Sequence, residues 1–151
     1  MYSAEFLADW FLSQESMTPK KLQKMLYYAY AWTLTLTNDK DNDLTNKLFE
    51  EQFEAWVHGP VIPEIYRMYS VYGYNNIPKI DKEVDLGNKD IENILNQVMT
   101  VYGKYDGNEL ESITHQEEPW ISARSGYGPL DTCNEVINDT IIYKTYIGRV
   151  S

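Results

Sequence analysis

The sequence has a single cysteine, Cys133, in 151 residues. A lone cysteine closes no internal disulfide, which excludes the stapled secreted scaffolds and points to a reducing compartment. Basic residues are scarce as well, with 13 Lys and Arg against 23 Asp and Glu, a net charge of −10. That balance repels phosphate backbones. The densest basic cluster, Lys20-Lys21 with Lys24, is too small to reverse it. No nucleic-acid partner is expected. No apolar run approaches the roughly 20 residues that span a bilayer, and "MYSAEFLADWFLSQES" lacks the basic start of a signal peptide. The expectation is a soluble cytoplasmic protein with no membrane partner. Repeats, low-complexity segments and long linkers are missing too, so residues 1–151 read as one domain whose core needs no staples.

Templates for chemistry are equally sparse. There is no G-x-S-x-G, and Cys133 lies in polar "DTCNE" with no histidine close in sequence. The glycines of "SGYGP" neither follow a convincing strand nor open a G-x-G-x-x-G helix. Only two histidines occur, His58 and His115, each with carboxylates nearby in sequence, Glu64 for the first and Glu117 with Glu118 for the second. Two histidines and a carboxylate could form an open catalytic metal site. The tight spacing of an H-E-x-x-H helix is missing, however. A small metal-dependent hydrolase using His58 and His115 is therefore the alternative reading. The main expectation is no metal, no cofactor and no catalysis, each histidine fixing a turn by hydrogen bonding.

What the chain does contain is helix punctuation. Ser3 caps a first helix carrying Phe6, Leu7, Trp10 and Phe11. Thr18-Pro19 starts a long central helix striped by Leu22, Met25, Leu26, Ala29, Thr33 and Leu36. The Asn/Asp loop 37–43 is the best candidate for disorder or an insertion. Residues 53–57 read as extended, since Gly59-Pro60 follows and residues before proline avoid the helical region. Pro63-Glu64 restarts a helix with Ile65, Tyr66, Tyr69 and Tyr72 as its apolar stripe, stopped at Gly73. "IPKI" reads as a short edge strand. Asn88 opens a helix carrying Ile91, Ile94, Leu95, Val98 and Tyr102, ended by Gly103. Asp106 and Glu109 have capping-box spacing, Pro119 opens one more turn, and Asn138 or Asp139 caps a terminal helix. The sum is a mainly α-helical bundle with one small β-hairpin. Trp10, Leu22, Leu26, Trp32, Ile94 and Val98 are its expected core, and Glu109, Glu111, Glu117 and Glu118 are expected on the surface.

"WVHGPVIPEIY", residues 56–66, concentrates stiff and aromatic residues. As turn chemistry, His58-Gly59-Pro60 makes a sharp corner between two elements. As a docking surface, Trp56 and Tyr66 beside it suit interface anchors.

Three stretches, "TPKKLQKMLYYAYAW", "FEAWVHGPVIPEIYRMY" and "YGKYDGNELESITHQEEPW", resemble in order and spacing the signature blocks of the Panacea domain. That family includes SocA-type antitoxins and phage-associated GepA-like proteins. The matching residues are Lys21-Leu22-Gln23-Lys24, then Trp56 to Tyr66, then Leu110, Thr114-His115 and Pro119-Trp120. The resemblance implies a mainly helical antitoxin that neutralises a cognate toxin by direct contact, one branch of the family delivering its toxin to a cytoplasmic protease. On this reading the partner-binding candidates are Trp56, His58, Gly59, Pro60, Tyr66, His115, Glu117, Glu118 and Trp120. The three blocks are expected to converge in space.

Overall fold

The computed structural model describes residues 1–150. Ser3 accepts the amide of Phe6 and starts α1, Ala4–Gln14, whose Leu7, Ala8, Trp10, Phe11 and Leu12 are buried. Thr18 accepts the amide of Lys21, and Pro19 takes the first helical position of α2, Pro19–Thr37. This helix is the axis of the fold. Leu22 to Ala31 are buried without a break, and Thr33 to Thr35 again. A helix covered on every side needs packing partners all around it, and later elements supply them.

The chain next forms an antiparallel hairpin, β1 (Glu54–Trp56) and β2 (Gly59–Val61), with Trp56 opposite Gly59 and Glu54 opposite Val61. α3, Pro63–Tyr69, follows and passes into a 3-10 turn at Ser70–Tyr72 that ends on Gly73 at φ 57°. Asn88 caps α4, Lys89–Tyr102. Asp106 and Glu109 close a reciprocal capping box on α5, Gly107–Thr114. α6 is Glu118–Ala123, and Asn138 caps α7, Asp139–Ile147. α2 contacts α1, α3, α4, α5, α7 and β2. The result is a mainly α-helical protein with one small hairpin. Among the described residues no helix is long and apolar enough to cross a membrane.

The expected core is present: Trp10, Leu22, Leu26 and Val98 are buried, and Trp32 and Ile94 pack against them half-buried. Three expectations fail. Leu36, placed in the α2 stripe, is 47% exposed, while Thr35 and Asn38 on either side of it are buried, so the covered face of the last turn is a different one. In the α3 stripe Ile65 is buried and Tyr69 and Tyr72 pack half-buried against the core as expected, but Tyr66 is 47% exposed. "IPKI" forms no strand: Ile77 makes one bridge to Met17, and the amide of Ile80 donates to Leu12. Those isolated bonds dock the segment against the α1–α2 connection without a continuous ladder. The base of the 37–43 loop is tied down, since Asn38 is buried, donates to Leu34 and Asn46 carbonyls, and accepts the Asn46 amide.

Candidate functional site

The three sequence blocks meet at the hairpin, and side chains gripping main-chain atoms hold it. Gln23 donates to the Ile62 carbonyl at 3.0 Å and accepts the Ile62 amide at 2.9 Å. Lys24, 1% exposed, donates to the Pro60 carbonyl at 3.2 Å. Arg124, also buried, donates to the Ala55 carbonyl at 2.9 Å, and its other nitrogen reaches Gly128 and Asp131 carbonyls. The Trp120 indole donates to the Trp56 carbonyl at 2.9 Å. On the outer edge of β1 the Ala55 amide donates to Glu135, and the Ile137 amide to Phe53.

The corner itself depends on Gly59. Its φ of 108° lies where only glycine is comfortable. A Cβ there would stand 2.5 Å from Lys24 Cε and 3.1 Å from the Thr114 hydroxyl. The structural reading of His58-Gly59-Pro60 as a corner therefore holds, and Lys24 and α5 form the surface against which the corner closes.

Behind the hairpin, His115 stacks on Trp120 with ring centroids 3.9 Å apart, and the Arg124 guanidinium lies over the same indole at 5.3 Å. His115 is half-buried, with Nε2 enclosed and unpartnered. Burial lowers its proton affinity, while Glu111 and a hydrogen bond to the Val57 backbone oppose that shift. His58, in contrast, has a side chain 69% exposed, with Nδ1 3.2 Å from Glu111. Glu111 also takes an ion pair from Lys20 at 2.7 Å. Burial works against its charge, but the hydrogen bonds from Lys20 and His58 hold it below the ordinary carboxylate range.

Glu117 is not on the surface. It is 6% exposed and accepts hydrogen bonds from Tyr28 at 2.7 Å and Tyr146 at 2.8 Å, with Arg149 at 2.9 Å on its other oxygen. Three donors satisfy a carboxylate that would otherwise be costly to bury. Tyr28 stacks on Tyr102 at 3.9 Å, and Trp32 donates to the Tyr102 hydroxyl, so the network joins α2, α4, α6 and α7. Burial first, then the neighbouring Glu117 charge, drives the Tyr28 hydroxyl far above its usual range. Glu118 and Glu109 are exposed as expected, and Glu111 is partly covered.

In front of the hairpin lies a cavity of about 590 Å³ between the start of α2, the hairpin, α3 with its 3-10 turn, and residues 132–134. Trp56, His58 and Tyr66 line it, Trp56 and Tyr66 meeting edge to face at 5.1 Å. Leu22, Val61, Ile65 and Tyr69 add apolar wall, and no Asp or Glu contributes. The candidate residues thus divide. Trp56, His58 and Tyr66 line the groove, Gly59 and Pro60 form the corner closed over Lys24, Trp120 with His115 stacked on it grips the hairpin, and Glu117 joins α2 to α7 with no bond to the hairpin. Sequence reasoning missed Gln23, Lys24 and Arg124. A signal for the first two was present: Gln23 and Lys24 stand in the Lys21-Leu22-Gln23-Lys24 block that carries the family resemblance. Among the described residues no group of three or more His, Cys, Asp and Glu is placed to hold a metal ion.

The model of the family "Antitoxin SocA-like, Panacea domain" matches residues 22–121. That span runs from the Gln23–Lys24 grip through the hairpin to Trp120. The chain is 31% identical over 135 residues to Antitoxin SocA of Caulobacter vibrioides (strain NA1000 / CB15N), covering 78% of this chain and 68% of that protein. No solved structure matches. With the corner, the grips from Gln23, Lys24 and Trp120 and most of the central helix inside the matched span, the chain belongs to the antitoxin SocA-like Panacea-domain family.

Proposed function

We propose that this chain is the antitoxin of a toxin–antitoxin pair and neutralises its cognate toxin by direct contact, as a binding module and not as an enzyme. The observation that carries this reading is the groove beside the hairpin. Two aromatic side chains sit there at a mouth built on a braced main chain, inside the span that matches the antitoxin family. Aromatic anchors on a rigid frame suit a protein interface, because little conformational freedom is lost when they are covered. The net charge of −10 supports a basic partner steered by long-range attraction. Exposed Glu109 and Glu118, not the buried Glu117, are the side chains of the third block available for that steering. Within the same reading, the chain acts as one folded unit, belongs to a phage or prophage setting, and can pass its toxin to a cytoplasmic protease as an adaptor.

The test is co-expression with the product of the neighbouring reading frame. Rescue of growth, together with co-purification of the two proteins, is the expected result. A toxic neighbour that is neither rescued nor bound would overturn the reading. The adaptor step is read separately, as the toxin's half-life with and without this chain in cells that have or lack the protease. An unchanged half-life removes the adaptor step alone.

A further inference from the structure

Lys24 is a cation in an unusual position. It is 1% exposed, lines the floor of the groove, and makes one hydrogen bond, to the Pro60 carbonyl. A lysine ammonium has three donors, so two remain. No carboxylate stands within ion-pairing distance of it among the described residues, although the chain carries 23 acids. Lys20 and His58, which line the same groove, both pair with Glu111, so that these two groups share one carboxylate and Lys24 has none. An unpaired buried charge is expensive, and a carboxylate is the group that would relieve it. The remaining wall is apolar: Trp56, Val61, Ile65 and Tyr66.

We propose that this groove receives the C-terminal end of a partner protein, its last apolar side chains lying along Trp56, Val61, Ile65 and Tyr66 and its terminal carboxylate meeting Lys24, Lys20 and His58. The charge complementarity is local: no acid lines this groove, Glu111 reaching only its Lys20 and His58 from outside the lining, whereas two smaller cavities are lined by Glu51 and Asp139 and by Glu83, Asp85 and Glu92. A chain end is favoured over an internal Asp or Glu because it brings an apolar side chain and a carboxylate on one residue and need not continue past the floor. The burial that pushes the Lys24 amine down to about 7 is consistent with a site that a bound carboxylate would re-protonate. The assignment rests on the chain being a protein-binding module.

The experiment uses the full chain, labelled for ¹H–¹⁵N spectra, and three peptides: N-acetyl-Leu-Phe as the free acid, the same peptide as its C-terminal amide, and N-acetyl-Glu-Leu-Phe amide. The expected result is that the free acid binds at least about tenfold more tightly than either amide, with shifts gathered at Trp56, Val61, Ile65 and Tyr66. Lys24→Met, close to lysine in volume, should erase that preference while leaving apolar binding. If that variant does not fold, Lys20→Gln should weaken the same preference. Equal binding of acid and amide overturns the proposal, as do shifts elsewhere or no binding at millimolar peptide. Binding of the internal-acid peptide as tight as the free acid overturns the choice of a chain end. No toxin enters this experiment. Failed peptide binding with intact toxin rescue removes only the groove assignment, and failed rescue with peptide binding removes only the antitoxin reading.

Discussion

Replacing Lys24 tests whether the centre of the site holds a charge that the fold resists. Burial, opposed by Glu111 and reinforced by Lys20, lowers the Lys24 amine from 10.5 to about 7. The unfolded chain therefore keeps its proton up to the ordinary lysine range, while the folded protein releases it near neutrality. Across that window the unfolded state binds more protons, so stability rises with pH, and it is lost again as pH falls toward 7. At about 1.36 kcal/mol for each pH unit, the contribution amounts to at most about 5 kcal/mol. Urea denaturation of the parent and of Lys24→Met, from about pH 6.5 to about pH 10, reads it directly. The parent should gain several kcal/mol on the variant over that range. The buried tyrosines Tyr27, Tyr28, Tyr30 and Tyr146 have raised hydroxyl values, mainly through burial. Their stabilisation declines only as the unfolded tyrosines begin to ionise near pH 10, and it declines in both proteins alike. Their effect cancels in the difference. Parallel curves for the two proteins would refute the reasoning, because Lys24 would then titrate as a solvated amine.

Glu117→Gln weakens two buried tyrosine hydrogen bonds and an ion pair to Arg149, whose side chain is 44% exposed and stays solvated, so the loss should be about 1–3 kcal/mol; an unchanged urea midpoint would mean that the network contributes nothing. Leu26→Ala empties a fully buried position on α2 and should cost about 2–5 kcal/mol, read as a sharply lowered melting temperature. Tyr66→Ala removes a side chain already 47% exposed, so the melt should barely move while dissociation of the cognate toxin quickens by the equivalent of about 2 kcal/mol in stopped flow. If toxin release is unaltered, Tyr66 is not an anchor.

Local chemistry made much of the fold legible. Ser3, Thr18, Asn88, Asp106 with Glu109, and Asn138 all cap the helices they were expected to cap, because a cap depends on residues three positions away. The hairpin corner was legible for the same reason, since Gly59 admits a positive φ closed to other residues and Pro60 fixes its own. Glu117 was misjudged because its partners arrive from afar, Tyr28 being 89 positions away along the chain. A glutamate next to another glutamate just before a helix reads as solvent-facing until the tyrosines that enclose it are known. The role of Lys24 is hidden for a related reason: in sequence it belongs to a small basic cluster and to the Lys21-Leu22-Gln23-Lys24 block, and only the hairpin folded over it shows a buried amine on the Pro60 carbonyl. The groove was half legible, with Trp56, His58 and Tyr66 singled out but the opposite wall at residues 132–134 invisible from local pattern.

The grips on the hairpin end on carbonyl and amide groups: Gln23 and Lys24 on Ile62 and Pro60, Arg124 on Ala55, Trp120 on Trp56. Main-chain atoms are present whatever side chain a residue carries. The outward side chains of the corner and of α3 are consequently replaceable cargo on a rigid chassis. Changing His58 and Tyr66 alters what the mouth of the groove presents without releasing any of those grips. A library randomised at these two positions should therefore keep cooperative unfolding while its members diverge in what they capture. This separation would let one architecture be retargeted from partner to partner by altering its lip and leaving its skeleton alone.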